Sequence, residues 1–138
     1  MLREIEPGSS DFERFITALE TADLPTGDLT SEPFRYFTLD NEAWGGIGAG
    51  PDALIRSIVV GQDARGRCLG VTITESLAQQ ARDAGVERLW LLTTSASPFF
   101  EKLGWRHADR ALAPSAIAQS KQFAGLCPAS AAFMVRAL

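Results

Sequence analysis

Residues 58–70 read IVVGQDARGRCLG, and this stretch decides the fold. A β-branched run ends in a loop that carries glycines and arginines, and an amphipathic segment follows at once. The pattern predicts a strand, a loop and the start of a helix. Such a loop aims backbone N–H groups and a helix N-terminus at one point, which suits a phosphate or pyrophosphate group.

Composition narrows the class of protein. The chain has 138 residues, 46% of them hydrophobic and 22% charged, which predicts one globular domain over residues 1–138. A net charge of −4 argues against a general nucleic-acid binder. No apolar run is long enough to span a bilayer, so we expect no membrane partner and a cytoplasmic location. One histidine and two distant cysteines predict no metal site.

Periodicity predicts eleven elements. Ser10 and Glu13 form a capping-box pattern at the start of the first helix. The predicted helices cover 10–22, 67–84, 97–103 and 114–124, and the predicted strands cover 2–6, 34–39, 44–49, 53–60, 87–93, 105–109 and 131–137.

The order of these elements is β-α-β-β-β-α-β-α-β-α-β. The unit at 53–93 should be a parallel, right-handed β-α-β crossover, whereas the hairpins supply antiparallel neighbours. We therefore expect an α/β (α+β) fold with a mixed, mostly antiparallel twisted sheet and helices on both faces.

Two blocks resemble the GNAT superfamily of acetyl-CoA-dependent N-acetyltransferases. Arg65-Gly66-Arg67-Cys68-Leu69-Gly70 occupies the place of the acyl-CoA motif, and the block at 99–105 (FFEKLGW) is similar to a second superfamily pattern. The strand order matches as well. Two residues depart from the family: Cys68 stands where glycine is usual, and Phe100 stands where many members have the tyrosine that protonates the leaving thiolate.

A narrower resemblance lies in the second half of the chain. The blocks at 53–57 (ALIRS), 91–94 (LLTT) and 126–131 (LCPASA) look like the arsenic-resistance N-acetyltransferases, which are themselves similar to amino-acid (glutamate) N-acetyltransferases. This resemblance implies a small-molecule acceptor: a free amino acid, or an arsenic- or phosphorus-containing analogue. A homodimer is a further family-level expectation.

The superfamily resemblance implies direct attack of the amine on acetyl-CoA as co-substrate. The backbone near Ile58, Val59 and Val60 would pair with the pantetheine arm, and the amides of Gly66 to Val71 would hold the pyrophosphate. Thr93 occupies a position where a contact to the cofactor arm is expected. The cofactor-binding residues implied in this way are Ile58, Val59, Val60, Arg65, Gly66, Arg67, Cys68, Leu69, Gly70, Val71 and Thr93.

Arg56 is the leading candidate to hold a substrate carboxylate, because arginine pairs with such groups through two hydrogen bonds. A structural ion pair is the alternative role for Arg56. Ser57 is a second substrate-binding candidate. Ser130 and Cys127 could reach the thioester sulfur and are the catalytic candidates, with a purely structural role as the alternative. No carboxylate stands out as a general base.

These residues favour an N-acetyltransferase that acts on the α-amine of a small amino acid or analogue. An α-amine has a pKa of about 8, against about 10.4 for lysine, so it needs only weak base assistance. Two alternatives stay open: the same enzyme class acting on polyamines, drugs or protein amines, and a non-catalytic module that binds acyl-CoA.

Overall fold

The computed structural model of the chain describes residues 2–31, 33–120, 123 and 131–138. The predicted order of strands and helices is confirmed. The elements are β1 (Leu2–Ile5), α1 (Ser10–Thr21), β2 (Arg35–Leu39), β3 (Ala43–Ile47), β4 (Asp52–Val60), α2 (Leu69–Asp83), β5 (Arg88–Thr93), α3 (Ser97–Lys102), β6 (Arg106–His107), α4 (Ser115–Ala118) and β7 (Ala132–Ala137).

Several predicted boundaries differ from the structure by one or more residues, and the differences at three helices have a stated cause or limit. The N-cap of α1 is Ser9, whose Oγ accepts a hydrogen bond from the Phe12 N–H at 3.2 Å, so the predicted cap at Ser10 is one residue late. Helix α2 begins at Leu69 and not at 67, because Cys68 has a left-handed backbone. The predicted helix 114–124 is helical over Ser115–Ala118, and residues 121, 122 and 124 lie outside the described part.

The strands form one sheet in the order β1-β2-β3-β4-β5-β7-β6. Strands β4 and β5 are parallel, as expected for a β-α-β crossover through α2, and the other described pairs are antiparallel. The parallel pair of β4 and β5 stands at the centre of the sheet.

Helices cover both faces of the sheet, as predicted. Strand alternation sends one set of side chains toward α2 and the other toward α1 and α4. The α2 face carries Phe37, Leu39, Ala53, Ile55, Leu89, Leu91 and Met134. The opposite face carries Tyr36, Trp44 and Val59 beneath α1, and Leu54, Trp90, Phe133 and Val135 beside Ile117 of α4.

Candidate active site

A β-bulge interrupts β4 at Ser57. Gly46 pairs with Arg56 and Trp44 pairs with Val59, so the single residue Gly45 faces both Ser57 and Ile58. Ser57 has a φ of 57°, in the left-handed region. A bulge of this kind bends its strand and leaves an extra residue outside the ladder.

Helix α2 presses close to the strand opposite this bulge. A Cβ on Gly45 would lie 2.5 Å from Cδ1 of Leu77, a distance that real contacts do not reach. The same Cβ would be 3.3 Å from Cγ1 of Ile58. The absence of a side chain at Gly45 therefore lets α2 pack directly over the bulge and hold it in place.

Strands β4 and β5 pair over only a short length. Asp52, Ala53 and Leu54 pair with Arg88, Leu89 and Trp90, and the described pairing ends there. The bulge bends β4 a few residues later, and the two strands part. Beyond Leu54 this edge of β4 therefore faces the opening instead of β5.

A cavity of about 510 Å³ occupies this opening. Its walls come from four elements: β4, the end of β5 with the turn that follows, α3, and the segment after α1. The lining residues include Ser57 and Ile58 from β4, Thr93 from β5, Phe99 and Phe100 from α3, and Leu24 from the segment after α1. A cavity of this size and mixed lining is typical of a small-molecule site.

The three predicted backbone positions on β4 have different surroundings. Ile58 lines the cavity. The side chain of Val59 packs among the residues beneath α1, and that of Val60 packs on the α2 side. Any contact that Val59 or Val60 makes with a ligand in the cavity would therefore involve the backbone.

The loop before α2 has the conformation of an anion-binding turn. Gly66 has a φ of 86° and Cys68 a φ of 59°. The first helical hydrogen bond runs from the Thr72 N–H to the Cys68 carbonyl at 3.2 Å. The N–H groups before Thr72 have no acceptor within the helix and, with the helix dipole, favour a negatively charged ligand.

The first turn of α2 lies beside the cavity. A Cβ on Gly70 would be 3.3 Å from Cζ of Phe99, and Phe99 lines the cavity. Leu69 is half-buried and packs on the same core, while Val71 is exposed. Residues 65–71, the predicted pyrophosphate loop, do not line the cavity themselves and lie next to its wall through the contact of Gly70 with Phe99.

The two arginines of the loop, Arg65 and Arg67, have different surroundings. Arg67 forms a two-point pair with Glu42, with Nη1–Oε2 at 2.6 Å and Nη2–Oε1 at 3.1 Å. These hydrogen bonds raise the pKa of the Arg67 guanidinium above its ordinary value. Arg65 is exposed beside Gly66. The pair with Glu42 ties the loop to the β2–β3 turn.

Arg56 lines the cavity, but its guanidinium is engaged. Nη1 and Nη2 donate to Asp28 at 2.6 and 2.7 Å, and Nε donates to Ser57 Oγ at 2.9 Å. The group also lies over the ring of Phe34, at 5.1 Å from its centroid. This ion pair is the second of the two roles considered for Arg56, and the carboxylate-binding role stays a prediction.

Thr93 and Phe100 line the end of the cavity near α3. Thr93 Oγ1 accepts a hydrogen bond from the Ala96 N–H at 3.1 Å, which orders the turn before α3. Phe100 packs edge-on against Phe99 and Trp105. Phe100 brings no hydroxyl group to the site, so a proton for the leaving group would have to come from elsewhere.

Cys127 and Ser130, the two catalytic candidates, lie outside the described residues. In the described ranges, no cluster of His, Cys, Asp and Glu could hold a metal ion. None of the helices in the described part of the chain is long and apolar enough to cross a membrane.

Sequence reasoning missed two residues that shape the site, Asp28 and Gly45. Asp28 stands in a segment with loop-like composition, and nothing local marks it as the partner of an arginine 28 residues away. Gly45 lies inside a predicted strand, where glycine is unfavourable because it has no side chain to pack. A glycine inside a predicted strand was the one available signal of a bulge or a close approach.

Comparisons with known proteins agree with this geometry. Residues 13–105 match the model of the "Acetyltransferase (GNAT) family". Comparison with curated protein sequences gave no match.

Several solved structures share the fold. N-acetylglutamate synthase from Neisseria gonorrhoeae, complexed with coenzyme A and N-acetyl-glutamate, has a TM-score of 0.77 and 17% identity and covers 100% of this chain. The chain spans about a third of the length of that synthase. A putative acyl-CoA N-acyltransferase from Klebsiella pneumoniae has a TM-score of 0.73 and 20% identity, covering 100% of this chain and 97% of its own.

An aminoglycoside 6'-N-acetyltransferase complexed with coenzyme A has a TM-score of 0.71 and 11% identity, over 99% of this chain and 96% of its own. At these identities the three structures establish a shared fold. Two of them, an N-acetylglutamate synthase and an aminoglycoside 6'-N-acetyltransferase, are named for different compounds, so this shared fold alone does not specify the amine.

Proposed function

The chain belongs to the GNAT acetyltransferase family, and from this premise we propose that it transfers acetyl from acetyl-CoA to the α-amine of a small amino acid or analogue. The family makes it an N-acyltransferase that uses acyl-CoA. The acceptor, and the residues that bind it, are the proposed part.

The observation that carries the proposal is the parting of β4 from β5 beyond Leu54. Beyond the bulge at Ser57, the edge of β4 over Ile58 to Val60 can present backbone N–H and C=O groups, which suit the amides of a pantetheine arm. The cavity begins at this edge, and the first turn of α2 lies beside it through the contact of Gly70 with Phe99. The pantetheine arm and the pyrophosphate of acetyl-CoA can therefore be held by β4 and by the start of α2, which lie next to each other.

Within this proposal the backbone of Ile58 to Val60 binds the arm, and the N–H groups of Gly66 to Val71 hold the pyrophosphate. Arg65 adds positive charge beside them. The bound thioester supplies an electrophilic carbonyl. The chain orients that carbonyl toward the amine and excludes water through the apolar walls that Ile58, Phe99 and Phe100 provide.

The chemistry of the site favours an α-amine over a side-chain amine. Because an α-amine has a pKa of about 8, an appreciable fraction is neutral near pH 7. A lysine-type amine, with a pKa of about 10.4, would need a strong base. Asp23 lines the cavity mouth but is exposed, and Phe100 cannot act as an acid. The described residues of the site thus bring little proton-transfer machinery, which suits the less demanding amine.

The sequence blocks at 53–57 and 91–94 support an amino-acid acceptor, and an N-acetylglutamate synthase is among the proteins that share the fold. Arsenic- and phosphorus-containing amino acids belong to the same chemical class. A homodimer and a cytoplasmic location stay predictions.

The test is release of coenzyme A from acetyl-CoA over a matched panel of amines. One arm holds amino acids and phosphinic or arsenical analogues, and the other holds polyamines, aminoglycosides and lysine-containing peptides. Turnover mainly in the first arm supports the proposal. Turnover confined to the second arm overturns the acceptor, and acetyl-CoA binding without turnover in either arm would instead favour the non-catalytic module. Binding is read from the rise in melting temperature that a ligand of the native state produces.

A further inference from the structure

We propose that the hydroxyl group of Ser57 donates a hydrogen bond to the thioester oxygen of the bound acyl donor and stabilises the oxyanion formed during transfer. This inference rests on the proposed acyltransfer and assigns a catalytic residue to it. Three observations about Ser57 lead to it: its place in the cavity, its backbone conformation and its hydrogen bond to Arg56.

Ser57 lies where the reaction needs polar groups. It is the bulge residue of β4, it lines the cavity, and it is half-buried. The neighbouring walls formed by Ile58, Phe99 and Phe100 are apolar. In such surroundings a hydroxyl group interacts with a developing negative charge more strongly than it would in water.

The backbone of Ser57 favours glycine. At a φ of 57° a side chain is strained, whereas glycine adopts this conformation without cost. The chain nevertheless places a side chain there, and the smallest one with a hydroxyl group. Strained positions that the surrounding structure holds in place are concentrated at functional sites.

The hydrogen bond from Arg56 prepares the hydroxyl group to donate. Arg56 Nε donates to Ser57 Oγ at 2.9 Å and so occupies a lone pair of that oxygen. The guanidinium is itself fixed by Asp28. Since the Ser57 proton cannot point at a donor, it is directed away from Arg56. A hydroxyl that accepts a bond from a cation becomes a stronger donor.

Thr93, another hydroxyl-bearing residue of the cavity lining, is less suited to this role. Thr93 Oγ1 accepts from the Ala96 N–H and lies at the far wall, on β5. Among the residues that the structure describes, the hydrogen bond at Ser57 Oγ is the one from Arg56. Ser57 therefore combines a fixed oxygen position with a proton that is available for a ligand.

The step balances without any proton leaving Ser57. The amine nitrogen forms a bond to the carbonyl carbon, and the carbonyl π electrons move to the oxygen, which the Ser57 hydroxyl and the backbone N–H groups of β4 stabilise. When those electrons return, the C–S bond breaks and the thiolate leaves. The nitrogen loses its proton to water, and Ser57 O–H is intact at the end.

The test compares Ser57→Ala and Ser57→Gly with the unchanged chain. Removing one oxyanion donor lowers kcat by about 10²–10³-fold. We expect that loss in both variants, with the KM of acetyl-CoA and of the amine changing less than about threefold. The pH dependence of kcat should keep its shape, because a donor that stays protonated adds no titration.

Ser57→Gly relieves backbone strain but, like Ser57→Ala, removes the acceptor of the buried Arg56 Nε, so the melting temperature of both variants is measured and kcat is compared at a temperature where each stays fully folded. Asp40→Gly is the matched control, since Asp40 has a φ of 51° in the exposed β2–β3 turn. It relieves the same kind of strain and should leave kcat unchanged.

A kcat within threefold of the unchanged chain in Ser57→Ala overturns the inference while the proposed function stands. A large loss seen only as a higher KM overturns it as well, because Ser57 would then bind the ground state. Absence of turnover in the unchanged chain would instead contradict the proposed function itself.

Discussion

Arg56 and Asp28 form a two-point ion pair in which neither side chain is more than 4% exposed. Arg56 belongs to β4, and Asp28 belongs to the segment between α1 and β2. Residues 23–25 of that segment line the cavity. The pair therefore fixes one wall of the site to the central strand, while Arg56 Nε positions Ser57.

Asp28→Ala should destabilise the fold strongly, because it removes the buried carboxylate that binds both Nη atoms of the buried Arg56 guanidinium. The expected loss is about 3–5 kcal/mol of unfolding free energy, measured by urea denaturation. Glu4→Ala is the control, since it breaks an exposed pair with Arg35 and should cost less than about 1 kcal/mol. Equal losses in the two variants would contradict the structural role assigned to the buried pair.

Cys68→Gly should leave the protein as stable as before or up to about 1.6 kcal/mol more stable. Relief of the left-handed strain is worth about 1–2 kcal/mol, and the greater freedom of glycine in the unfolded chain offsets about 0.4–1 kcal/mol of it. The affinity for acetyl-CoA, measured by calorimetry, should be kept.

Cys68→Val is the contrasting variant. A β-branched side chain fits the left-handed backbone poorly and stands beside the proposed pyrophosphate amides, so both stability and affinity should fall. Unchanged acetyl-CoA affinity in Cys68→Val would show that this loop does not hold the ligand.

Gly70→Ala should weaken binding of acetyl-CoA while the fold stays intact. The new Cβ would lie 3.3 Å from Cζ of Phe99, so this ring, which lines the cavity, must move slightly from its place. The dissociation constant should rise roughly fivefold to tenfold, the equivalent of about 1 kcal/mol. Adding Phe99→Leu should restore affinity by making room, and a double variant no better than Gly70→Ala would contradict this explanation.

Asp52 should make stability depend on pH in acid. Hydrogen bonds from Arg88, and then from Trp90 Nε1, hold the pKa of Asp52 below its ordinary value, against the opposing effect of partial burial. Because the folded-state pKa is the lower one, this contribution is fully present above the unfolded pKa of about 3.9 and is lost as the pH falls through the folded value.

The variant Asp52→Asn removes that contribution. Its unfolding free energy should lie below that of the unchanged chain at pH 7, and the difference should shrink at pH 3 and below. Arg88→Gln removes the hydrogen-bond partner of Asp52, so the loss of unfolding free energy between pH 7 and pH 3 should also become smaller. A gap that stays constant between pH 7 and pH 3 would mean that the pair does not govern this dependence.

Local patterns in the sequence predicted most of the fold. Strand β4 follows from its β-branched run, α2 follows from the spacing of Ile73, Leu77 and Ala81, and the crossover rule makes β4 and β5 parallel. Each of these rests on residues close together in the chain, where periodicity is informative.

The details of the site could not be predicted in this way. The bulge at Ser57 depends on the register between β3 and β4 and on the room that Gly45 gives to Leu77. The pair of Arg56 with Asp28 joins residues that only the packed fold brings together. Cys68 shows the same limit, because its departure from the glycine motif was visible while its left-handed backbone was not.

The bulge has a consequence for how such a site could arise. Ile55 and Ile58 face α2, whereas Arg56 and Val59 face the opposite side, so a chain without Ser57 would alternate as a regular strand. Such a chain would be free to continue its ladder with β5 and close the cavity. The opening therefore depends on one extra residue, Ser57. Deletion of Ser57 would let β4 and β5 pair over a greater length and would close the cavity.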